Sequence, residues 1–143
     1  MRRAPAIALA LMASIGFAVS GGAPAALADE RVPYTIDVEN ASAKVGEPTA
    51  VRATITPPEG FKITKSYRNR VVELSSYDDG VEFDDEVVLG SIQDGGSVIF
   101  EVGVTPTKPG PHPINGVIRV SFHNRGHSES KSVPLMATVT GTE

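Results

Sequence analysis

The stretch Ser97–Pro106, SVIFEVGVTP, places Val98, Phe100, Val102 and Val104 on every second residue. A period of two is the signature of a β-strand with one buried face. The same pattern continues on both sides. Downstream, after the turn residues Lys108-Pro109-Gly110-Pro111, GVIRVSF carries Ile118, Val120 and Phe122, and SVPLMATVT carries Val133, Leu135, Ala137 and Val139. Upstream, YTIDVEN offers Tyr34, Ile36 and Val38; TAVRATITPP offers Val51, Ala53 and Ile55; FKITK offers Phe61 and Ile63. RVVELS and EVVLGSI read as further short strands. Reversals are marked by Val45-Gly46-Glu47-Pro48, Pro57-Pro58-Glu59-Gly60, Asp78-Asp79-Gly80 and Asp94-Gly95-Gly96, residues suited to the special φ of turns. Helical periodicity is almost missing.

Short alternating strands with one apolar face each suit two packed antiparallel sheets. The fold class expected is all-β, an immunoglobulin-like sandwich of about seven to eight strands, with a small open barrel as the second choice. The Cys–Trp–Cys core of antibody domains is missing, since the chain has no cysteine and no tryptophan.

The first residues read as an address. Arg2 and Arg3 precede an uncharged run from Ala4 to Val19, and Ala26-Leu27-Ala28 has the small residues that a signal peptidase reads. Residues 1–28 are therefore expected to be a signal peptide cleaved after Ala28, and residues 29–143 the sandwich domain. A retained anchor is disfavoured because Pro5, Gly16 and Gly21-Gly22 interrupt the run, where a spanning helix needs about 20 apolar residues. The expected location is periplasmic or secreted, with no membrane insertion after cleavage. The whole chain has a net charge of −4, and losing Arg2 and Arg3 makes it more acidic. An acidic surface disfavours nucleic acid and anionic lipid as partners.

The order KVGEPTAVRATITPPEGFKI, SVIFEVGVTPTKPGPHPINGVIRVSFHN and SVPLMATVTG resembles the N-terminal periplasmic domain of the thiol:disulfide interchange protein DsbD. The resemblance implies an immunoglobulin-like sandwich whose last two strands are joined by a loop with two cysteines, which exchange electrons by thiolate attack. Here that loop reads HNRGHSESK. Aligned on the last strand, His127 stands at the second cysteine position and His123 within one residue of the first. Imidazole forms no disulfide, so the resemblance carries over without the redox chemistry. A thiol–disulfide redox partner is the least favoured function.

The residues themselves suggest three sites. Phe122, His123, Asn124, Arg125 and His127 form a polar turn suited to contact with another protein. His123 and His127, joined by His112 from GPHP, could supply three imidazoles for copper or zinc. Asp78, Asp79, Glu82, Asp84, Asp85 and Glu86 form an acidic cluster. Its spacing lacks the Asp-x-Asp-x-Asp-Gly order of a calcium loop, and a charged edge strand is the favoured reading. Lys65, Tyr67, Arg68 and Arg70 make the one basic cluster with an aromatic. No Gly-x-Ser-x-Gly elbow or other complete catalytic motif is present. The function expected is that of an exported, non-catalytic binding or accessory module acting on another periplasmic or envelope protein, without a cofactor. The alternative is a periplasmic copper- or zinc-binding protein using the histidine loop.

Overall fold

Eleven strands form two facing sheets in the computed structural model, which describes residues 34–143. The expected signal peptide, residues 1–28, lies outside the described residues, as do residues 29–33. The first sheet runs β1 (Thr35–Glu39), β3 (Thr49–Thr56), β9 (Val98–Pro106) and β6 (Val81–Phe83), with β8 (Ser91–Ile92) also on β9. The second runs β2 (Ala41–Lys44), β11 (His127–Thr142), β10 (Gly110–Asn124), β5 (Arg70–Ser76) and β7 (Val88–Leu89), with β4 (Lys62–Ile63) also on β10. Every pairing is antiparallel except β2 with β11. This is the immunoglobulin-like β-sandwich expected, not the barrel. Seven strands have four residues or more, and β4, β6, β7 and β8 are fragments of two or three.

The alternating positions make the core. Val51, Ala53 and Ile55 of β3 and Val98, Phe100, Val102 and Val104 of β9 are fully buried, facing Ile114, Ile118, Val120 and Phe122 of β10 and Val133, Leu135 and Val139 of β11. Each of these valine, isoleucine, leucine and phenylalanine side chains contributes about 1.5–3 kcal/mol relative to leaving it in water. With no cysteine in the chain, this apolar layer has no covalent help.

Two expectations change. EVVLGSI is not one strand: Val88–Leu89 joins the second sheet and Ser91–Ile92 the first. The chain crosses between them at Gly90, where a Cβ would lie 2.6 Å from Phe100 Cε1 and Val98 Cγ2, so only bare backbone fits. Tyr34, Ile36 and Val38 are also not a buried face. β1 is an edge strand, Ile36 remains 37% exposed, and Tyr34 and Val38 only lean on the core margin. The chain then changes sheets at Asn40, whose Oδ1 accepts the Thr138 N–H at 2.9 Å.

β10 and β11 form one long hairpin paired without interruption from Gly110↔Gly141 to Asn124↔His127. Its two-residue turn has Arg125 at φ 49° and Gly126 at φ 83°. Two successive positive φ values define a type I′ turn, whose twist matches that of the strands it joins. On its other side β10 pairs with β5 through a bulge at Glu73 (φ 56°), opposite Gly116.

The assignment of faces is directly testable. Phe100→Asp, Val120→Asp and Leu135→Asp each place an unpaired charge at a position of 0% exposure. The cost of several kcal/mol is comparable with the whole stability of a typical domain, about 5–15 kcal/mol. Circular dichroism should show loss of the cooperative melt in all three, whereas Met136→Asp, one residue from Leu135 but 66% exposed, should melt like the wild type.

Candidate functional site

The end of the sandwich that carries the β10–β11 turn holds an open cleft of about 1440 Å³. Two loops form its walls: Thr56–Ser66, around β4, and Gly90–Gly96, after the sheet crossing. Pro58, Phe61 and Ile92 give it apolar surface, while Lys62, Thr64 and His123 give it polar groups.

A buried polar network fixes the shape of the first loop. Asn69 Oδ1 accepts the Ser121 N–H at 3.0 Å, and its Nδ2 donates to the Thr64 and Tyr67 carbonyls at 3.1 and 3.2 Å. Thr64 N–H donates to the Ser121 carbonyl at 2.8 Å. The Ser121 hydroxyl donates to Thr64 Oγ1 at 3.0 Å, which leaves the Thr64 hydroxyl proton for His123 Nδ1, 3.2 Å away. That direction assigns the proton of neutral His123 to Nε2. A hydroxyl donating to an imidazole is half of a nucleophile–base arrangement. The third group is missing: no carboxylate among the described residues hydrogen-bonds the other ring nitrogen. What the arrangement does supply is an oriented ring beside a preformed, partly apolar recess, a combination suited to binding.

The structure separates the histidines that the sequence grouped. His123 pairs with Ser128 and Asn124 with His127, so the two rings start from adjacent positions of the ladder and hence from opposite faces of the sheet. His112 lies near the other end of β10, roughly 36 Å away along the strand at about 3.3 Å per residue. The three imidazoles do not meet. Of the contact residues expected, His123 and Asn124 are half-buried, and Arg125 and His127 are exposed at the tip. Phe122 is different: it is buried at 1% exposure and its ring lies 5.9 Å from that of Tyr34, so it supports the tip from within.

The acidic cluster also divides. Glu82 sits on β6 at the margin of the first sheet. Asp84 hydrogen-bonds the Gly103 carbonyl through its N–H and, with Asp85, Glu86, Phe83 and Leu74, lines a smaller groove of about 620 Å³. Asp78 and Asp79 belong elsewhere, to a clamp at the end of the sandwich remote from the cleft.

That clamp ties two sheet-to-sheet crossings together. His112 is buried, its Nε2–H donates to the Lys108 carbonyl at 2.7 Å, and its Nδ1 faces Asp78 Oδ2 at 3.0 Å. Asp78 also accepts the Gly80 N–H at 2.9 Å, and Asp79 pairs with Lys108 at 2.8 Å. The ring lies directly on Gly80, where a Cβ would be 2.2 Å from His112 Cε1. Close approach, not a positive φ, is what requires glycine there. The hydrogen bond that His112 donates to Asp78, and then the one it donates to the Lys108 carbonyl, hold its pKa above the ordinary 6.5. The His112 hydrogen bond, followed by the Gly80 N–H, holds Asp78 below its ordinary 3.8. With both ring nitrogens donating, His112 has no lone pair for a metal.

No protein-family model and no curated protein matches the chain. Solved structures do. The chain is similar to AggA, the major subunit of aggregative adherence fimbriae type I from Escherichia coli, at 18% identity over 77% of this chain and 95% of that one, with a TM-score of 0.42. It is similar to the seventh ScaB type I cohesin from Pseudobacteroides cellulosolvens, at 13% identity over 77% and 94%, with a TM-score of 0.44. It is also similar to a chain of the Coh-OlpA-Doc918 type I cohesin–dockerin complex from Clostridium thermocellum, at 16% identity over 76% and 99%, with a TM-score of 0.40. The likeness is one of fold class. It brings no residue-level correspondence to the cleft. Among the described residues no helix is long and apolar enough to cross a membrane.

The clamp makes stability depend on pH with a defined sign. The contribution of His112, whose folded pKa is raised, is complete below 6.5 and is lost as pH climbs through the folded value. That of Asp78, whose folded pKa is depressed, is complete above 3.8 and is lost as pH falls through the folded value. Thermal melts of the wild type should therefore lose stability on the alkaline side of 6.5, and His112→Gln should flatten that limb while lowering the melting temperature between the two values. An identical alkaline limb in the variant would remove His112 as its cause.

Proposed function

We propose that the chain is an exported, non-catalytic binding or accessory module that engages another periplasmic or envelope protein through the loop end of the sandwich. The observation that carries this reading is the cleft: a recess shaped by the Asn69–Ser121–Thr64 network, with exposed apolar surface at Ile92 and an oriented His123 at its rim. Buried hydrogen bonds that hold a surface loop in one shape reduce the ordering cost of association. The acidic balance of the chain favours a protein partner over nucleic acid. The resemblance to the DsbD N-terminal domain fits the same reading, with the turn between β10 and β11 serving as a contact surface where the cysteine pair would act. Export and the periplasmic setting rest on the signal-like character of residues 1–28.

Photo-reactive residues installed at His123 and at Ile92 should crosslink to the same envelope protein, and one installed at Lys108, at the remote end, should not. The purified partner should then bind Ile92→Asp at least about tenfold more weakly than wild type, the loss expected for a central apolar contact. Equal crosslinking from Lys108, or unchanged affinity of Ile92→Asp, would contradict the assignment.

A further inference from the structure

β11 is 16 residues long, and β2 covers only Val139–Thr142 of its outer side. Among the described residues no strand pairs with that side from His127 to Thr138. The register tells which backbone groups face it. In a two-residue hairpin the residues flanking the turn exchange hydrogen bonds, so Asn124↔His127 is a bonded pair and every second pair after it is too. Odd-numbered residues of β11 thus turn their N–H and C=O toward β10, and even-numbered residues turn theirs outward. Thr138, whose N–H is taken by Asn40 Oδ1, has this outward parity. So does Pro134, which has no N–H and costs the hairpin nothing.

The margins of the first sheet are guarded. β1 carries Asp37 and Glu39, and β6 is a three-residue strand with Glu82 at its centre. On β11 the outward row from Ser128 to Met136 reads Ser128, Ser130, Ser132, Pro134 and Met136, with no charge at all and every residue exposed. Between the turn at Gly126 and the break at Pro134 lies His127–Val133, HSESKSV. This segment is its own antiparallel complement. Turned about Ser130, it sets Ser128 against Ser132 of a second copy, Glu129 against Lys131, and Lys131 against Glu129. The even-numbered serines then form the hydrogen-bonded pairs, as their outward parity requires. Glu129 and Lys131 fall in the closer, non-bonded pairs, where opposite charges attract most. Sliding the register by two residues puts Glu129 against Glu129 or Lys131 against Lys131, like charges that destabilise a ladder. Sliding by one residue faces the outward groups with inward ones.

We infer that His127–Val133 is a strand-pairing edge that takes a second copy of this chain, antiparallel and centred on Ser130. Each chain already brings Glu129 and Lys131 within 3.1 Å of one another, so pairing creates a four-charge network of alternating sign across the two-fold axis. The Ser128, Ser130 and Ser132 backbones close the ladder. The contact is narrow, and it makes a weak dimer that forms as concentration rises from micromolar toward millimolar.

Sedimentation equilibrium of the exported protein tests this. Wild type should self-associate, and Glu129→Lys alone or Lys131→Glu alone should each weaken association about tenfold or more, because every cross-strand pair becomes like-charged. An equimolar mixture of the two variants should restore the dimer, since one chain then presents only positive and the other only negative charge. Ser130→Pro, which removes an outward N–H and no hairpin bond, should melt as wild type does and remain monomeric. A monomeric wild type at millimolar concentration, a single charge variant that dimerises as well as wild type, or a mixture that stays monomeric would each overturn the proposal. Should Ser130→Pro fail to fold, the charge variants and their mixture decide alone.

Discussion

The register of the β10–β11 hairpin is the constraint on which the rest of the molecule depends. Its inner parity supplies Ile114, Ile118, Val120 and Phe122 from one strand and Val133, Leu135 and Val139 from the other, most of one wall of the core. A slip of one residue would turn all of them to solvent. The turn prevents it, because two positive φ values permit one loop length, and Gly126 supplies one of them without strain. Arg125 takes the other in a region that most side chains avoid, so the apolar parity of the strands must help to hold the turn.

From that hairpin each functional feature takes its place. The core-facing Phe122 anchors the tip against Tyr34, while the next residue, His123, faces outward to the cleft and to Thr64. At the far end the parity that buries Ile114 also buries His112, and the cost of putting a polar ring there is offset by hydrogen bonds at both nitrogens. The resulting clamp joins the turn after β5 to the turn after β9, the two places near it where the chain passes between sheets. Along the outer side, the same alternation leaves the serine row of β11 facing outward.

The sandwich was legible because a half-buried strand writes its buried face into the sequence. Val98, Phe100, Val102 and Val104 could be placed by period alone, and all are buried. Phe122 was open to two readings, core and contact, and its parity with Ile118 and Val120 decides for the core. His112 could have been recognised in the same way, since it keeps step with Ile114. Its partner could not, because Asp78 comes from 34 residues away in the chain. The split of EVVLGSI at Gly90 depends on the Phe100 ring that the glycine must pass, which no local pattern reveals. The histidine spacing misled because four residues mean one face on a helix and, across a two-residue turn, opposite faces of a sheet. An Asn-Gly pair would have announced that turn; Arg-Gly announces it weakly.

Amide hydrogen exchange along β11 tests the central constraint most directly, and the Lys131→Glu chain is the one to use because it should not self-associate. Protection should alternate: the odd-numbered amides from Glu129 to Val139 exchange slowly, while Ser130, Ser132 and Met136 exchange fast. Thr138, held by Asn40, should be the protected exception among the even residues. Protection of the opposite parity, or uniform protection from Ser128 to Met136, would contradict the register and everything placed by it.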